Sequence, residues 1–372
     1  MDGNQDGALT ASPAFVELRG LERRFDGVAA VAGVSLGIRR GEILAILGPS
    51  GCGKSTLLRL IAGFEEPDAG EIRIEGQSMA GLPPYRRPVN TMFQSYALFP
   101  HMTVAQNVAF GLKQDSLSAQ QVSERTTEAL ALVRMEQHRD RRPEQLSGGQ
   151  QQRAALARSL AKSPKLLLLD EPMAALDRQL RAEMQFELAE IIRRVRVTCV
   201  LVTHDQEEAM AMADRLALMR DGELVQTGSP ADVYAMPNCR FSAEFLGEVN
   251  LFNGQLGEAG DGQLVFDTPD LSDSIEVAGA DSLPAGTDCS LAVRPEKIVL
   301  SDAPLDQQYI SREAIVEDFA FLGGRTRYHL RLASGRTITA VSPESAAASG
   351  LTHGQPIEVG WRIRDAVLLA DG

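Results

Sequence analysis

At 372 residues the chain is longer than a single typical domain and suits two, and with 44% hydrophobic residues both can bury a core. It holds no run of roughly 18 or more apolar residues to span a bilayer, and no charged, apolar and small-residue progression opens it as a secretion signal. The net charge of −13 falls mostly in residues 251–372, so neither part has the basic footprint of a nucleic-acid binder, and no nucleic-acid partner is expected.

Residues 1–13 read as a disordered leader. Phe15 to Leu21 alternates apolar and polar side chains like an edge strand, and Val31 to Ile38 repeats the pattern before a turn at Arg40-Gly41. Between them, in Arg23-Arg24-Phe25-Asp26-Gly27, Phe25 admits two readings: an aromatic that stacks on a nucleobase, or a half-buried strand residue. Ile43 to Leu47 is an apolar run that reads as a buried strand, and Leu57 to Ala62 reads as the first turns of a helix. Joining them is Gly48-Pro49-Ser50-Gly51-Cys52-Gly53-Lys54-Ser55-Thr56. Strand, glycine-rich loop and helix succeed one another in the order a phosphate-binding loop requires. The glycines let successive N–H groups point inward at an anion, and the helix N-terminus adds its positive dipole end. Lys54 is expected on the outer phosphates and the Ser55 hydroxyl on Mg²⁺. A glycine-rich turn that binds nothing is the alternative; the complete G-x-x-x-x-G-K-S spacing in its local context weighs against it.

Glu71 to Gln77 reads as a short strand, and Pro83-Pro84 interrupts regular structure after it. The stretch Asn90 to Met102 is rich in aromatics for a chain only 5% aromatic. Its Tyr96, Leu98, Phe99 and Met102 either tuck into their own core or offer an apolar patch to a partner. Gln94 opens the stretch; its amide can ligate a metal through oxygen or orient a water. Thr103 to Leu112 and Ala119 to Met135 have helical period, the second with a stripe of Val122, Ala129, Leu130, Leu132 and Val133. Then Leu146-Ser147-Gly148-Gly149-Gln150-Gln151-Gln152-Arg153 leads into a helix from Ala154 to Ala161. A serine and two glycines at a helix start make a second anion site, without a lysine of its own.

Leu166 to Leu169 is a fully apolar strand ending in Asp170-Glu171-Pro172, as expected of a central parallel strand, and ligands bind beyond the C-terminal ends of such strands. Asp170 is expected to hold Mg²⁺, directly or through water, and Glu171 to face an attacking water as base or orienter. Asp177 comes next, then an amphipathic helix to about Arg194. Thr198 to Thr203 reads as one more buried strand, delivering His204-Asp205 to the same edge, where His204 is read as contacting the terminal phosphate. Asp205 to Ala213 reads as a helix, and Leu216 to Met219, Asp221-Gly222 and Glu223 to Gln226 as a hairpin.

With these residues in view, residues 14–245 resemble the nucleotide-binding subunits of ATP-binding-cassette transporters, whose motifs occur here in the family's order and approximate spacing. The resemblance implies an α/β fold, a mostly parallel sheet with helices and a helical subdomain at about 100–155, and an ATPase with ATP and Mg²⁺ as cofactors. It places Phe25 on the adenine and the loop Gly48 to Thr56 on the phosphates. Ser55, Gln94 and Asp170 surround the metal, Glu171 is the catalytic carboxylate, and His204 and Gln94 complete the catalytic set. Ser147, Gly148, Gly149, Gln150 and Asp177 are implied to act across a head-to-tail homodimer, Ser147 and Gly149 reaching the nucleotide of the other protomer. The chain departs from the commonest pattern at Ala174, where a serine usually stands, which puts one cross-dimer hydrogen bond in doubt.

Within the family, Phe93 to Val104 is similar to importers of polyamines, iron(III), sugars and sulfate. Pro83 to Asn90, Phe110 to Asp115 and Val197 to Val200 look most like the putrescine importers among them. That resemblance implies two integral membrane permease subunits, a periplasmic or extracellular solute-binding protein, and a place at the cytoplasmic face of the inner membrane. Four cysteines scattered without a C-x-x-C pair argue against a zinc site or disulfide framework and suit a reducing cytoplasm. A soluble ATPase of the same type acting on nucleic acid or the ribosome is the rival reading; the acidic tail and single cassette speak against it.

Residues 246–372 change character, with glycine turns and short alternating strands such as Arg327 to Leu332 and Arg336 to Val341. They read as a compact β-barrel of the oligonucleotide/oligosaccharide-binding type. Phe245 to Phe252 and Val293-Arg294-Pro295-Glu296 resemble the regulatory barrel, of the TOBE type, that such importers carry. Its charge fits either ordinary solubility or attraction of a cationic polyamine.

Overall fold

The structure, a computed structural model, describes residues 14–370 apart from 175, 259–263, 272–273, 277–283 and 344–349. The expected leader, 1–13, lies outside the described residues. Two compact units divide after Pro230.

In chain order the first unit has strands β1 (Val16–Phe25), β2 (Val28–Ile38), β3 (Ile43–Leu47), β4 (Ala69–Ile74), β5 (Gln77–Ser78), β6 (Val89–Met92), β7 (Leu166–Asp170), β8 (Thr198–Thr203), β9 (Arg215–Arg220) and β10 (Glu223–Gly228). Its helices are α1 (Lys54–Ala62), α2 (Val104–Leu112), α3 (Ala119–Leu132), α4 (Gly148–Leu160), α5 (Arg178–Val195) and α6 (Gln206–Met212). One sheet has the order β2-β1-β4-β5 and is antiparallel; the other runs β10-β9-β3-β8-β7-β6. In the second, β3, β6, β7, β8 and β9 are parallel, with Leu47 level with Thr203, Asp170 with Val202 and Met92 with Leu169. Every residue of β3 and β8 is buried, which explains the apolar run of β3 and of residues 199–202 between the two threonines of β8. This register brings the loops after β3, β6, β7 and β8 to one edge.

The 71–77 strand is a hairpin instead: Glu75 and Gly76 take φ of 50° and 73°, turning β4 back onto β5. α3 stops at Leu132, short of Met135, because Arg134 turns left-handed (φ 56°) and sends Met135 into the core, its N–H bonding Leu130 O. α4 starts earlier than its apolar period indicates, at Gly148, with Ser147 as N-cap in a capping box with Gln150. Thr103 with Gln106 and Ser118 with Gln121 start α2 and α3 in the same way. α2 packs against both α3 and α4.

The second unit begins one residue into α7 (Pro230–Ala235) and continues with α8 (Arg240–Phe245), placed ahead of the barrel boundary in the sequence. The buried Arg294 ties this segment to the strands of the unit. Its guanidinium donates to the carbonyls of Ala243, Gly247, Glu248 and Tyr234 and lies 4.2 Å from the Tyr234 ring centre. Strands β11 (Asn250–Glu258), β12 (Leu264–Asp267), β13 (Ile275–Glu276), β14 (Asp288–Val293), β15 (Val299–Ser301), β16 (Tyr309–Phe321), β17 (Arg325–Leu332), β18 (Thr337–Pro343), β19 (Pro356–Arg362) and β20 (Ala366–Ala370) form two antiparallel sheets, β13-β12-β11-β14-β20 and β15-β19-β16-β17-β18. They share one core, in which the rings of Phe252 and Trp361 stack at 5.4 Å. This is the small curled antiparallel β class read from the tail.

Candidate functional site

The phosphate loop is built by backbone demands at two glycines. Gly53, the N-cap of α1, has φ 101°, and a Cβ there would sit 2.0 Å from Ala30 O. A Cβ on Gly48 would meet Met219 O at 2.3 Å. Both positions therefore need glycine for a reason of space, and at Gly53 for φ as well. Lys54 is buried, and its ammonium donates to Gly48 O (2.7 Å) and Pro49 O (2.8 Å), reaching across the mouth of its own loop. Cys52 Sγ lies 3.8 Å from the same nitrogen; burial pushes its thiol up, against the pull of Lys54.

The parallel edge adds the acids. Ser55 Oγ stands 3.5 Å from Asp170 Oδ1. Burial, with the charge of Glu171 beside it, pushes the Asp170 carboxyl up, opposed by Arg59, Ser55 and Lys54. Glu171 has a left-handed φ of 46° with its N–H on Val202 O at 2.9 Å, a conformation costly for a side chain and held by the sheet next to it. The turn aims its carboxylate between two neighbours: Gln94 Nε2 donates to Oε2 at 3.0 Å, and His204 Nδ1 lies 3.0 Å from Oε1. Lys54, Ser55, Gln94, Asp170, Glu171 and His204 are thus brought to one edge by four loops.

The turn that carries His204 is fixed from behind. Thr203 Oγ1 donates to Glu208 Oε2 (2.5 Å) and accepts from Asp205 N (3.0 Å), while Arg181 of α5 donates to Asp205 Oδ2 at 3.0 Å. Glu208 is 2% exposed, its Oε1 has no hydrogen-bond partner among the described residues, and burial pushes its carboxyl up to about 7.

The other sequence-derived residues form separate groups. Ser147, Gly148, Gly149 and Gln150 make no hydrogen bond to the phosphate loop, Gln94, Glu171 or His204 among the described residues. Ser147 Oγ accepts from Gln150 N, Ser147 N donates to Gln150 Oε1, and Gln150 Nε2 meets His138 Nε2 at 3.3 Å. Gly149 lies against Leu180, and Asp177 caps α5 by accepting from Leu180 N at 3.0 Å. Phe25, at the end of β1, is 41% exposed, with the Arg23 guanidinium 4.8 Å from its ring centre.

The aromatic stretch divides. Tyr96 is buried in its own unit, whereas Leu98, Phe99 and Met102 are half-buried, Phe99 packing on Phe110 at 4.6 Å. Phe93 instead borders a cleft of about 610 Å³ with Phe64, Tyr85 and Asn90. Arg158 and Asn107, which hold this stretch, were not singled out by sequence reasoning. Their signal is a polar residue on an apolar helix face: Asn107 comes three after Val104, and Arg158 four and three after the buried Ala154 and Ala155.

No helix is long and apolar enough to cross a membrane among the described residues. A family model described as ABC transporter matches residues 31–174, and one described as TOBE domain matches 291–369. The chain is 51% identical over 357 residues to the putrescine transport ATP-binding protein PotG of Escherichia coli, covering 95% of each. It is 49% identical to the spermidine/putrescine import ATP-binding protein PotA of Trichodesmium erythraeum, over 89% of this chain and 88% of the relative. Among solved structures, cbiO1 from Clostridium perfringens, part of the ABC transporter complex cbiONQ, superposes with a TM-score of 0.56 at 30% identity, covering 60% of this chain and 92% of that one. The ATP-binding cassette MJ0796, dimeric in a post-hydrolysis state with ADP and phosphate, gives 0.51 at 31%, over 58% and 98%. With half of its residues shared with such relatives over nearly its full length, and a phosphate loop and acid edge in the fold of those structures, the chain belongs to the ABC transporter family as an ATP-binding ATPase with a TOBE domain.

Proposed function

We propose that the chain hydrolyses ATP to energise import of putrescine or another polyamine. In this reading two copies work with two integral membrane permease subunits and a periplasmic or extracellular solute-binding protein, at the cytoplasmic face of the inner membrane. The carrying observation is Glu171, held between Gln94 and His204 at the edge that presents Lys54, Ser55 and Asp170. The relatives supply the solute class.

Lys54 exchanges its two loop carbonyls for phosphate oxygens, and the exposed ring of Phe25 stacks on the adenine. Ser55 and Asp170 are hard oxygen donors close together, a partial set that would hold Mg²⁺. An ion held there would supply positive charge against the phosphates. Gln94 and His204 each engage one oxygen of Glu171 and leave lone pairs for the attacking water, whose proton the carboxylate takes. Ser147 and Gly149 complete the site of the other protomer. The cleft beside Phe93 and Phe64 receives a permease segment.

The test is uptake of labelled putrescine, spermidine and iron(III) in cells lacking this chain, complemented with wild type or Glu171→Gln. Putrescine uptake should return only with wild type. The purified variant should keep ATP binding and lose at least about a hundredfold in turnover. Loss of iron uptake with putrescine uptake intact would reassign the solute, and unchanged turnover would remove Glu171 from the chemistry.

A further inference from the structure

Two consecutive residues that are not glycine, Tyr96 (φ 58°) and Ala97 (φ 45°), stand in the left-handed region directly after Gln94-Ser95. Such a pair persists only where its surroundings fix it. One side chain meets both carbonyls: Arg158 Nη1 donates to Ala97 O at 2.6 Å and Nη2 to Tyr96 O at 2.8 Å. Its guanidinium also lies 5.8 Å from the Phe99 ring centre. Further along, Asn107, fully buried on α2, accepts from Phe99 N (2.8 Å) and donates to Phe99 O, so the far end of the stretch is fastened separately. The near end is Gln94 on Glu171, with Ser95 alone between it and the first clamped residue.

Arg158 sits in the last turn of α4, whose N-cap is Ser147. An α-helix of 13 residues moves as a rod, so a displacement of the clamped carbonyls is carried to Ser147, roughly 16 Å away along the axis. A two-pronged planar donor suits this task, since it fixes two successive carbonyls in position and orientation; an ammonium is a point donor that does not fix the plane.

We propose that Arg158 is a positioning residue that locks the Gln94 turn to α4, so that engagement of Gln94 at the nucleotide and the orientation of Ser147 are mechanically coupled within one protomer. The proposal rests on the ATPase reading above. It gives each protomer an internal link between the half-site that senses its own ATP and the half-site offered to its partner.

The experiment measures ATP affinity and turnover for Arg158→Lys and Arg158→Met, each alone and combined with Gln94→Ala, in the assembled transporter, with melting temperatures taken alongside. The expected result is a split. ATP affinity stays near wild type and kcat falls roughly tenfold to a hundredfold, as for a misplaced active-site group. In the Gln94→Ala background the further loss largely disappears, because the two residues act through one turn. Equal fold-losses in both backgrounds would overturn the proposal and leave Arg158 a helix-packing residue. So would unchanged kcat in a folded Arg158→Lys, or a lowered melting temperature with normal kcat. Should Arg158→Met fail to fold, Arg158→Lys alone carries the cycle. Absence of ATP binding by the wild-type chain would sink the ATPase reading itself, and the coupling with it, by a separate readout.

Discussion

Glu208 shows how one buried acid serves the catalytic edge without facing it. Thr203 donates to one of its oxygens, and the same hydroxyl accepts from the N–H just after His204, so the carboxyl behind the sheet sets the histidine's turn. The other oxygen has no partner among the described residues, and burial disfavours the charged form, pushing the carboxyl up to about 7. The consequence for stability has a definite sign. Below the ordinary glutamate value both folded and unfolded chains hold the proton. Between there and about 7 the folded chain holds more, so stability falls as pH rises, and above that the penalty is complete. Glu208→Gln keeps an acceptor for Thr203 and removes the titration. Urea unfolding at pH 5, 6, 7 and 8 should show a stability advantage of Glu208→Gln growing with pH, to on the order of 3 kcal/mol. Parallel pH profiles for the two chains would show that Glu208 is not the group responsible.

At the scale of the element, α1 carries phosphate-loop residues at its start and needs its other end held. Gly63, left-handed at φ 84°, donates to Arg59 O and Leu60 O, and Arg87 from the segment before β6 donates to Leu60 O (2.7 Å) and Ile61 O (2.9 Å). A Cβ on Gly63 would fall 2.5 Å from the Arg87 guanidinium, so glycine and arginine fit each other. A third bond reaches Leu82 O at 2.9 Å. Arg87→Met leaves the Ile61 carbonyl buried without a donor and Leu60 O with the Gly63 N–H alone, and should cost on the order of 2 kcal/mol. Chemical unfolding of the variant measures it, and a loss under about half a kilocalorie would mean that water satisfies those carbonyls. Nothing in the sequence marks Arg87, because its partners are backbone carbonyls distant in the chain. The same holds for the Arg158 clamp. By contrast β3, β7 and β8 were legible at once, since a strand buried on both faces carries a continuous apolar run, here four or five residues long. α4 was legible in kind and misread in its start, because Ser147 and two glycines cap a helix without adding to its apolar stripe. Where Phe99 and Tyr96 go was not legible: an aromatic run looks alike whether it faces its own core or a partner.

For the whole molecule, the geometry divides the candidate residues into two groups in one chain. Lys54, Ser55, Gln94, Asp170, Glu171 and His204 share an edge, whereas the side chains of Ser147 and Gln150 bond to each other's backbone and to His138, with Gly149 against Leu180. The capping box leaves Ser147 exposed at the N-terminus of α4, where unpaired N–H groups favour an anion, yet the chain's own phosphate loop makes no bond to it. The proposed head-to-tail pairing of two copies would resolve this, each giving its Ser147 to the other's nucleotide. Ala174 would offer no hydroxyl to such an interface, a loss of roughly 0.5–1.5 kcal/mol that is too small to abolish the proposed pairing. The arrangement is tested by mixing two defective chains. A Ser147→Arg chain alone has a bulky cation at both α4 starts, and a Lys54→Ala chain alone lacks the phosphate cation at both loops, so neither should trap nucleotide. In a heterodimer, pairing in trans places the intact Lys54 loop of the Ser147→Arg chain opposite the intact Ser147 of the Lys54→Ala chain. Both defects then fall together in the other site, and one composite site is whole. Nucleotide trapped per verified heterodimer should approach one, even where sustained hydrolysis requires both sites. If Ser147 served its own chain's loop instead, each site of the heterodimer would carry one defect, and trapping would stay at the level of the separate variants.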